Sequence, residues 1–127
     1  MEINDDLWNN FIEKSVDDIY SFDTLSDDEK SAVIIYELYS QSASGDGWKY
    51  FFDHMKYWKV PSDLIKDIIT NYFDENMVNN LTEASALYEK EGFDGNYEFV
   101  DEPLMDSEKI IEETIIKFIN NHKDLYS

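Results

Sequence analysis

From Asp5 to Tyr20 the apolar residues Leu7, Trp8, Phe11, Ile12, Val16, Ile19 and Tyr20 recur at helical spacing, and Asp5, Asp6, Asn9, Asn10, Glu13, Lys14, Asp17 and Asp18 fill the gaps between them. The pattern predicts an amphipathic helix with an acidic back. In the run SDDE that follows, Ser26 can accept from the backbone three residues on while Glu29 reaches back, a capping box opening a second helix through Val33, Ile34, Ile35, Tyr36, Leu38 and Tyr39. The apolar face of this helix is wide, which places it centrally. Gly45, Asp46 and Gly47 end it and allow a tight reversal into a third helix from about Trp48 to Trp58.

Pro61 blocks continuation of the third helix, and Ser62 is placed to cap a fourth, in which Leu64/Ile65, Ile68/Ile69 and Tyr72/Phe73 recur every four residues. A fifth helix carries Met77, Val78, Leu81, Ala84, Leu87 and Tyr88 and stops near Gly92. The stretch GFDGNYEFVDEP reads as the one sizeable loop, after which Ser107 starts a last helix with Ile110, Ile111, Ile115, Phe118 and Ile119. No repeat, low-complexity tract or linker interrupts the series. The expectation is an all-α fold: residues 1–127 as a single compact domain of about six helices.

Composition narrows the chemistry. The 127 residues are 43% hydrophobic, enough for one core that buries about two thirds of the unfolded surface. The absence of cysteine excludes a disulfide framework, a thiolate nucleophile and a cysteine-based zinc site. The start MEINDDLWNN has neither the basic region nor the apolar run of a signal peptide, and no apolar stretch approaches the roughly 18 residues of a membrane span, so a cytoplasmic protein is expected. The formal charge is -19, from 29 acids against 10 bases, and every base is lysine. Without arginine or a basic cluster, direct binding to nucleic acid or to an anionic membrane is not expected; cations and basic proteins are the natural partners of such a surface.

The motifs that carry catalytic or metal chemistry fail on spacing. SGDGW fits neither common phosphate-loop fingerprint, no strand precedes it, and Asp46 stands where an anion would sit. His54 and His122 lack the spacing of a metal pair, and adjacent helical residues such as Asp53 and His54 point in different directions. Asp94, Asn96 and Glu98 imitate the start of a calcium loop, but Phe99 stands where its glycine belongs and Met105 where its closing glutamate belongs. No serine lies in a nucleophile-elbow pattern. No catalytic residue, metal or cofactor is implied.

The aromatic third helix has two faces. Trp48, Phe51, Phe52, Met55 and Trp58 form one, which belongs to the core; Tyr50, His54 and Tyr57 form another, suited either to the core or to a half-wet contact. With Lys49, Lys56 and Lys59 and only Asp53 as an acid, this is the least negative part of the chain, so self-association into a homodimer is expected through Tyr50, His54 and Tyr57.

From Ser26 onward, the order of capped helix, glycine turn, aromatic helix, VPSDLIKDIITNYF, NLTEASALYEKEG and charged last helix resembles the family of acidic DMP-type DNA-mimic proteins, an all-helical bacterial family. The family's most recognisable stretch reads approximately N-G-G-F-x-Q-F-F-x-N. Gly47, Trp48, Phe51 and Phe52 keep its glycine and aromatics, while Gly45, Asp46, Tyr50 and His54 replace its polar positions and first glycine. The resemblance implies a dimerising helical protein without catalytic residues, whose acidic surface in at least one branch occupies the DNA site of a transcriptional regulator.

Helical geometry allows that role, because carboxylates at i and i+4 stand about 6 Å apart while duplex DNA carries one charge per about 1.7 Å of its axis. Acids in first helical turns, such as Asp5, Asp27 and Glu108, are accounted for by the helix dipole. Glu13, Asp17, Asp18, Glu112 and Glu113 lie beyond it and, with Asp6 at the head of the outer row of the first helix, are the candidate partner-binding residues. The first helix, with Lys14 as its only base, is the leading face. The expected function is a non-enzymatic acidic protein that occupies the nucleic-acid site of a basic DNA-binding protein. The alternatives are an immunity protein that neutralises a basic toxin, and a small enzyme or metal-binding regulator.

Overall fold

In the computed structural model, which describes residues 3–127, Asn4 opens the first helix, α1 (Asp5–Asp18): its side-chain oxygen accepts from the Asp6 and Leu7 N–H groups at 2.8 and 3.4 Å. The chain then tightens into a 3-10 stretch, Ile19–Thr24, with a non-helical break at Ser21, so the periodicity that ran to Tyr20 outlasts α1 by two residues. The expected capping box is present at the start of α2 (Asp27–Ser44), with Glu29 N–H to Ser26 Oγ at 3.2 Å and Ser26 N–H to Glu29 Oε1 at 3.0 Å. Ser31 to Ile35, Leu38, Gln41 and Ser42 are all buried, and α2 packs against α1, α3, α4, α6 and α7 as the central element.

The helices α3 (Trp48–Tyr57), α4 (Ser62–Tyr72) and α5 (Glu75–Glu91) follow at the expected places. One cap differs. Ser62 lies inside α4, whose N-cap is Pro61 and whose first turn receives no side-chain cap. A 3-10 turn, Gly92–Asp94, leads not into a loop but into α6 (Glu98–Asp106), so the reading of this region as a loop is corrected. Helix α7 (Glu108–Asn121) and the short α8 (Lys123–Tyr126) complete the chain, and α8 returns against α1. Among the described residues there are eight α-helices and no strand, two α-helices more than the expected count.

Helix α6 forms despite Pro103 because its burial is paid in kind by neighbours. Tyr97, Val100 and Leu104 face the core at helical spacing. Pro103 brings no N–H to the Phe99 carbonyl, which belongs to an exposed residue where water can serve. Two buried side chains then fasten the helix: Asn80 Nδ2 donates to the Val100 carbonyl at 2.9 Å, and Ser42 Oγ to the Leu104 carbonyl at 2.9 Å.

At the junction of α3 with α6 the backbone of Gly47 approaches the Asp101 side chain closely. Gly47 has φ +84°, and a Cβ placed on it would lie 2.4 Å from the Asp101 Oδ2. That clearance lets Asp101 Oδ1 accept the Trp48 N–H at 2.8 Å, so the first turn of α3 is capped by a carboxylate from another helix. Burial pushes the Asp101 carboxyl up from its ordinary range, opposed by the Trp48 N–H and the nearby Lys49 charge. The folded state therefore holds its proton more tightly than the unfolded chain does, and this carboxyl contributes less stability as pH rises through its titration.

Gly47→Ala should cost about 2 kcal/mol or more, from a strained φ and a collision with the carboxylate. Asp101→Ala should cost about 1–2 kcal/mol through loss of the cap. Asp101→Asn keeps an acceptor and should lie within about 1 kcal/mol of the parent, comparing better with it at pH 7 than at pH 3. Urea unfolding at the two pH values checks all three.

Candidate functional site

Helix α1 is held on its inner side by rings. Phe11 is fully buried, with the Tyr36, Phe118 and Tyr126 rings at 6.3, 6.3 and 5.3 Å, and Trp8 meets Tyr39 edge-on at 5.6 Å. Asn10 Nδ2 also donates to the Tyr126 carbonyl at 2.7 Å, tying α1 to α8. With the inner side fixed, Asp6, Asn10, Glu13 and Asp17 lie in one exposed outer row. At 1.5 Å of rise per residue the row extends about 16 Å.

Asp18 does not share this freedom. It is half-buried and pairs with Lys14 at 3.0 Å, and the same ammonium meets Glu29 Oε2 at 2.6 Å, joining α1 to the capping box of α2. Among the described residues, Lys14 is the only lysine with a carboxylate within 4.0 Å. The single base of α1 is thus turned to the seam with α2, and the outer row is left without a counter-charge. Glu13, Asp17 and Asp18 line, with Asn10, Lys14, Leu125 and Tyr126, a shallow cleft of about 400 Å³ between α1 and α8.

On α7, Glu112 and Glu113 are exposed. Glu108 and Glu112 act on the Tyr39 hydroxyl, which burial raises first and these carboxylates raise further. Tyr39 also packs on Trp8 of α1, and α7 itself lies against α1. Lys117 lies one turn beyond Glu113 but no ion pair forms between them.

The second candidate surface lies on α3. Trp48, Phe51 and Met55 are buried, while Tyr50, His54 and Tyr57 are exposed, which settles the alternative between core and surface for that strip. Tyr50 packs edge-on against Phe93 at 5.0 Å, and Trp58 lies between Tyr57 and Tyr20 at 4.8 and 4.7 Å. Tyr57 and Tyr20 keep 73% and 72% of their surface in solvent, making this the most exposed aromatic group of the fold. His54 Nδ1 meets Glu37 Oε1 at 2.5 Å, and Gln41 Nε2 approaches the same two groups at 3.3 and 2.9 Å. The neighbours that orient His54 come from α2, not from Asp53. Tyr20 and Phe93, from outside α3, extend the strip; periodicity within one helix carries no sign of either. No three His, Asp or Glu side chains among the described residues converge as a metal ion requires.

No protein-family model, curated protein or solved structure matches the chain.

Lys14 holds the Glu29 carboxyl well below its ordinary range, to about 2, with help from Ser26. A depressed acid stabilises the fold above its unfolded pKa, and that contribution is lost as pH falls from about 4.5 toward 2. Glu29→Gln should therefore lower stability at pH 7 by about 1 kcal/mol, the scale of a lost cap contact. The gap should close near pH 2, as read from denaturant midpoints across that range.

Proposed function

We propose that the chain is a non-enzymatic acidic binding protein whose α1 face takes the place of a nucleic-acid backbone on a basic DNA-binding protein. The observation that carries this reading is the division of charge on α1: its only lysine, which borders the same open cleft as Glu13 and Asp17, is paired with Asp18 and Glu29, and among the described residues neither Glu13 nor Asp17 has an ion pair. A cationic side chain entering that cleft meets carboxylates already held in place by a packed helix, so little ordering accompanies binding. Asp6 continues the row toward the N-terminus, and Glu112, with Glu113 on the following position, adds acids from α7. The likeness to the acidic DMP-type DNA mimics supports the same reading. Asp18 serves the fold through Lys14, so Glu13 and Asp17 are the stronger recognition residues.

No helix among the described residues is long and apolar enough to cross a membrane, which agrees with a role in solution. The proposal includes a homodimer formed through Tyr50, His54 and Tyr57, with Tyr20 and Trp58 at the edge of the contact. Two copies of charge -19 meet with least repulsion on the helix that carries one acid.

The mimicry test pairs capture with competition. A basic protein captured from native lysate at low salt should lose duplex DNA when the acidic protein is added. Glu13→Gln/Asp17→Asn should keep its stability within about 0.5 kcal/mol, yet compete at least tenfold less well and show a flatter salt dependence. A captured partner that holds DNA and the acidic protein together refutes the reading.

Self-association should strengthen as salt is raised, and Tyr50→Ser/Tyr57→Ser should weaken it. Sedimentation velocity at high protein concentration checks both, and a monomer at every salt concentration removes the dimer.

A further inference from the structure

The end of α3, the turn after it, α4 and α5 enclose a groove of about 840 Å³. Its floor is apolar, formed by the buried residues Met55, Val60, Ile65 and Leu81. Its rim carries Lys56, Lys59 and Lys66 against Asp63 and Glu89. Three of the chain's ten lysines thus surround one groove, and among the described residues none of the three has a carboxylate within 4.0 Å. In a chain of charge -19 this is a local reversal of sign. At physiological salt, charges beyond about 8 Å are largely screened, so a bound group responds to these ammoniums more than to the distant acids of α1.

The backbone at Lys59 adds to the case. The Val60 N–H donates to the Met55 carbonyl at 2.9 Å and the Lys59 N–H to the Lys56 carbonyl at 3.1 Å, the paired bonds of a helix end that needs one left-handed residue. Lys59 supplies it, with φ 58°, where glycine would adopt the conformation without strain. The turn carries a charge on the groove at the one position where local geometry favours having no side chain.

We propose that this groove binds an amphipathic organic anion: an apolar, ring-sized body on Met55, Val60, Ile65 and Leu81, with its acidic head among Lys56, Lys59 and Lys66. The volume lies in the range of about 300–1,000 Å³ typical of small-molecule pockets. Apolar contact supplies the attraction and the three ammoniums select for charge. The site does not depend on the acidic face of α1 and stands or falls separately from it.

Two probes that share one apolar body test it: 8-anilinonaphthalene-1-sulfonate and its uncharged analogue N-phenyl-1-naphthylamine, titrated into the full chain and followed by fluorescence. Saturable binding of one sulfonate probe per chain is expected, at least tenfold tighter than the uncharged one. Lys56→Gln/Lys66→Gln should weaken it about tenfold while leaving helicity unchanged by circular dichroism. Lys59→Gly should raise the melting temperature and still weaken binding several-fold, which no loss of folding can imitate. Ser85→Trp, which fills the groove, should abolish binding. The proposal is overturned if the sulfonate probe does not bind saturably, if both probes bind alike, or if the lysine variants bind as the parent does. Binding that is lost in Tyr57→Ser instead would assign the probe to the α3 strip and overturn it as well. So would self-association that disappears in Lys56→Gln/Lys66→Gln, because a second copy would then be the occupant.

Discussion

Both N–H groups of Trp48 end on polar side chains from distant parts of the chain, and the mutual placement of α3, α5 and α6 follows from that. The backbone N–H goes to Asp101 on α6, and the indole Nε1 goes to Asn80 Oδ1 on α5 at 3.0 Å. Asn80 passes the connection on by donating to the Val100 carbonyl. A fully buried indole left without an acceptor costs about 1–3 kcal/mol, so α3, α5 and α6 have one mutual arrangement in which these donors are met. Gly47 is what admits the Asp101 carboxylate to that arrangement. The rotation of α3 is thereby set: Met55 is turned to the lysine-rimmed groove, and Tyr50, His54 and Tyr57 face solvent.

The same contacts divide the acids into two kinds. Asp101, Glu29, Asp18 and Glu37 each have a specific donor, and their positions are explained by the fold they join. Two of them titrate in opposite directions: Glu29 is drawn down by Lys14, Asp101 driven up by burial. A partnered acid therefore need not stabilise, since the sign depends on whether the partner outweighs the lost water. Among the described residues, Glu13, Asp17, Glu112 and Glu113 have no partner of this sort and are exposed, so the described fold makes no demand for charge at those positions.

Much of this was legible in the chain because the decisive signals are local. The Ser26 to Glu29 box, the glycines at 45 and 47, and the four-residue beat of α4 each depend on neighbours within one turn of helix. Helix α6 was hidden for the opposite reason. Gly92, Gly95 and Pro103 give the stretch the composition of a loop, and the side chains that hold it, Ser42 and Asn80, lie far away in sequence. The spacing of Tyr97, Val100 and Leu104 was the available sign. Long-range pairing hid the rest as well: Glu37 and Gln41 beside His54, Glu29 on Lys14, and Phe93 and Tyr20 against the α3 strip all cross between elements. The Lys56, Lys59 and Lys66 rim lies on two helices and the turn between them, and it becomes a groove only once α5 closes the other bank.

A row of unneutralised acids on one helix face would be expected to weaken that helix, since like charges at i, i+4 repel by about 0.2–0.5 kcal/mol per pair. On α1 the repulsion is small beside what holds the helix down. Burial of an aromatic side chain such as Phe11 is worth about 1.5–3 kcal/mol, and the Tyr36, Phe118 and Tyr126 rings close around it. Asn10 interrupts the acidic row between Asp6 and Glu13 and is itself used to fasten α8, so Glu13 and Asp17 are left as the one i, i+4 pair of carboxylates in the row. Lys14 stabilises the seam with α2 and leaves the outer row uncompensated. The inner face thus supplies the stability and the outer face is released from supplying any. That separation is the physical condition under which a helix can display charge for recognition without losing its structure.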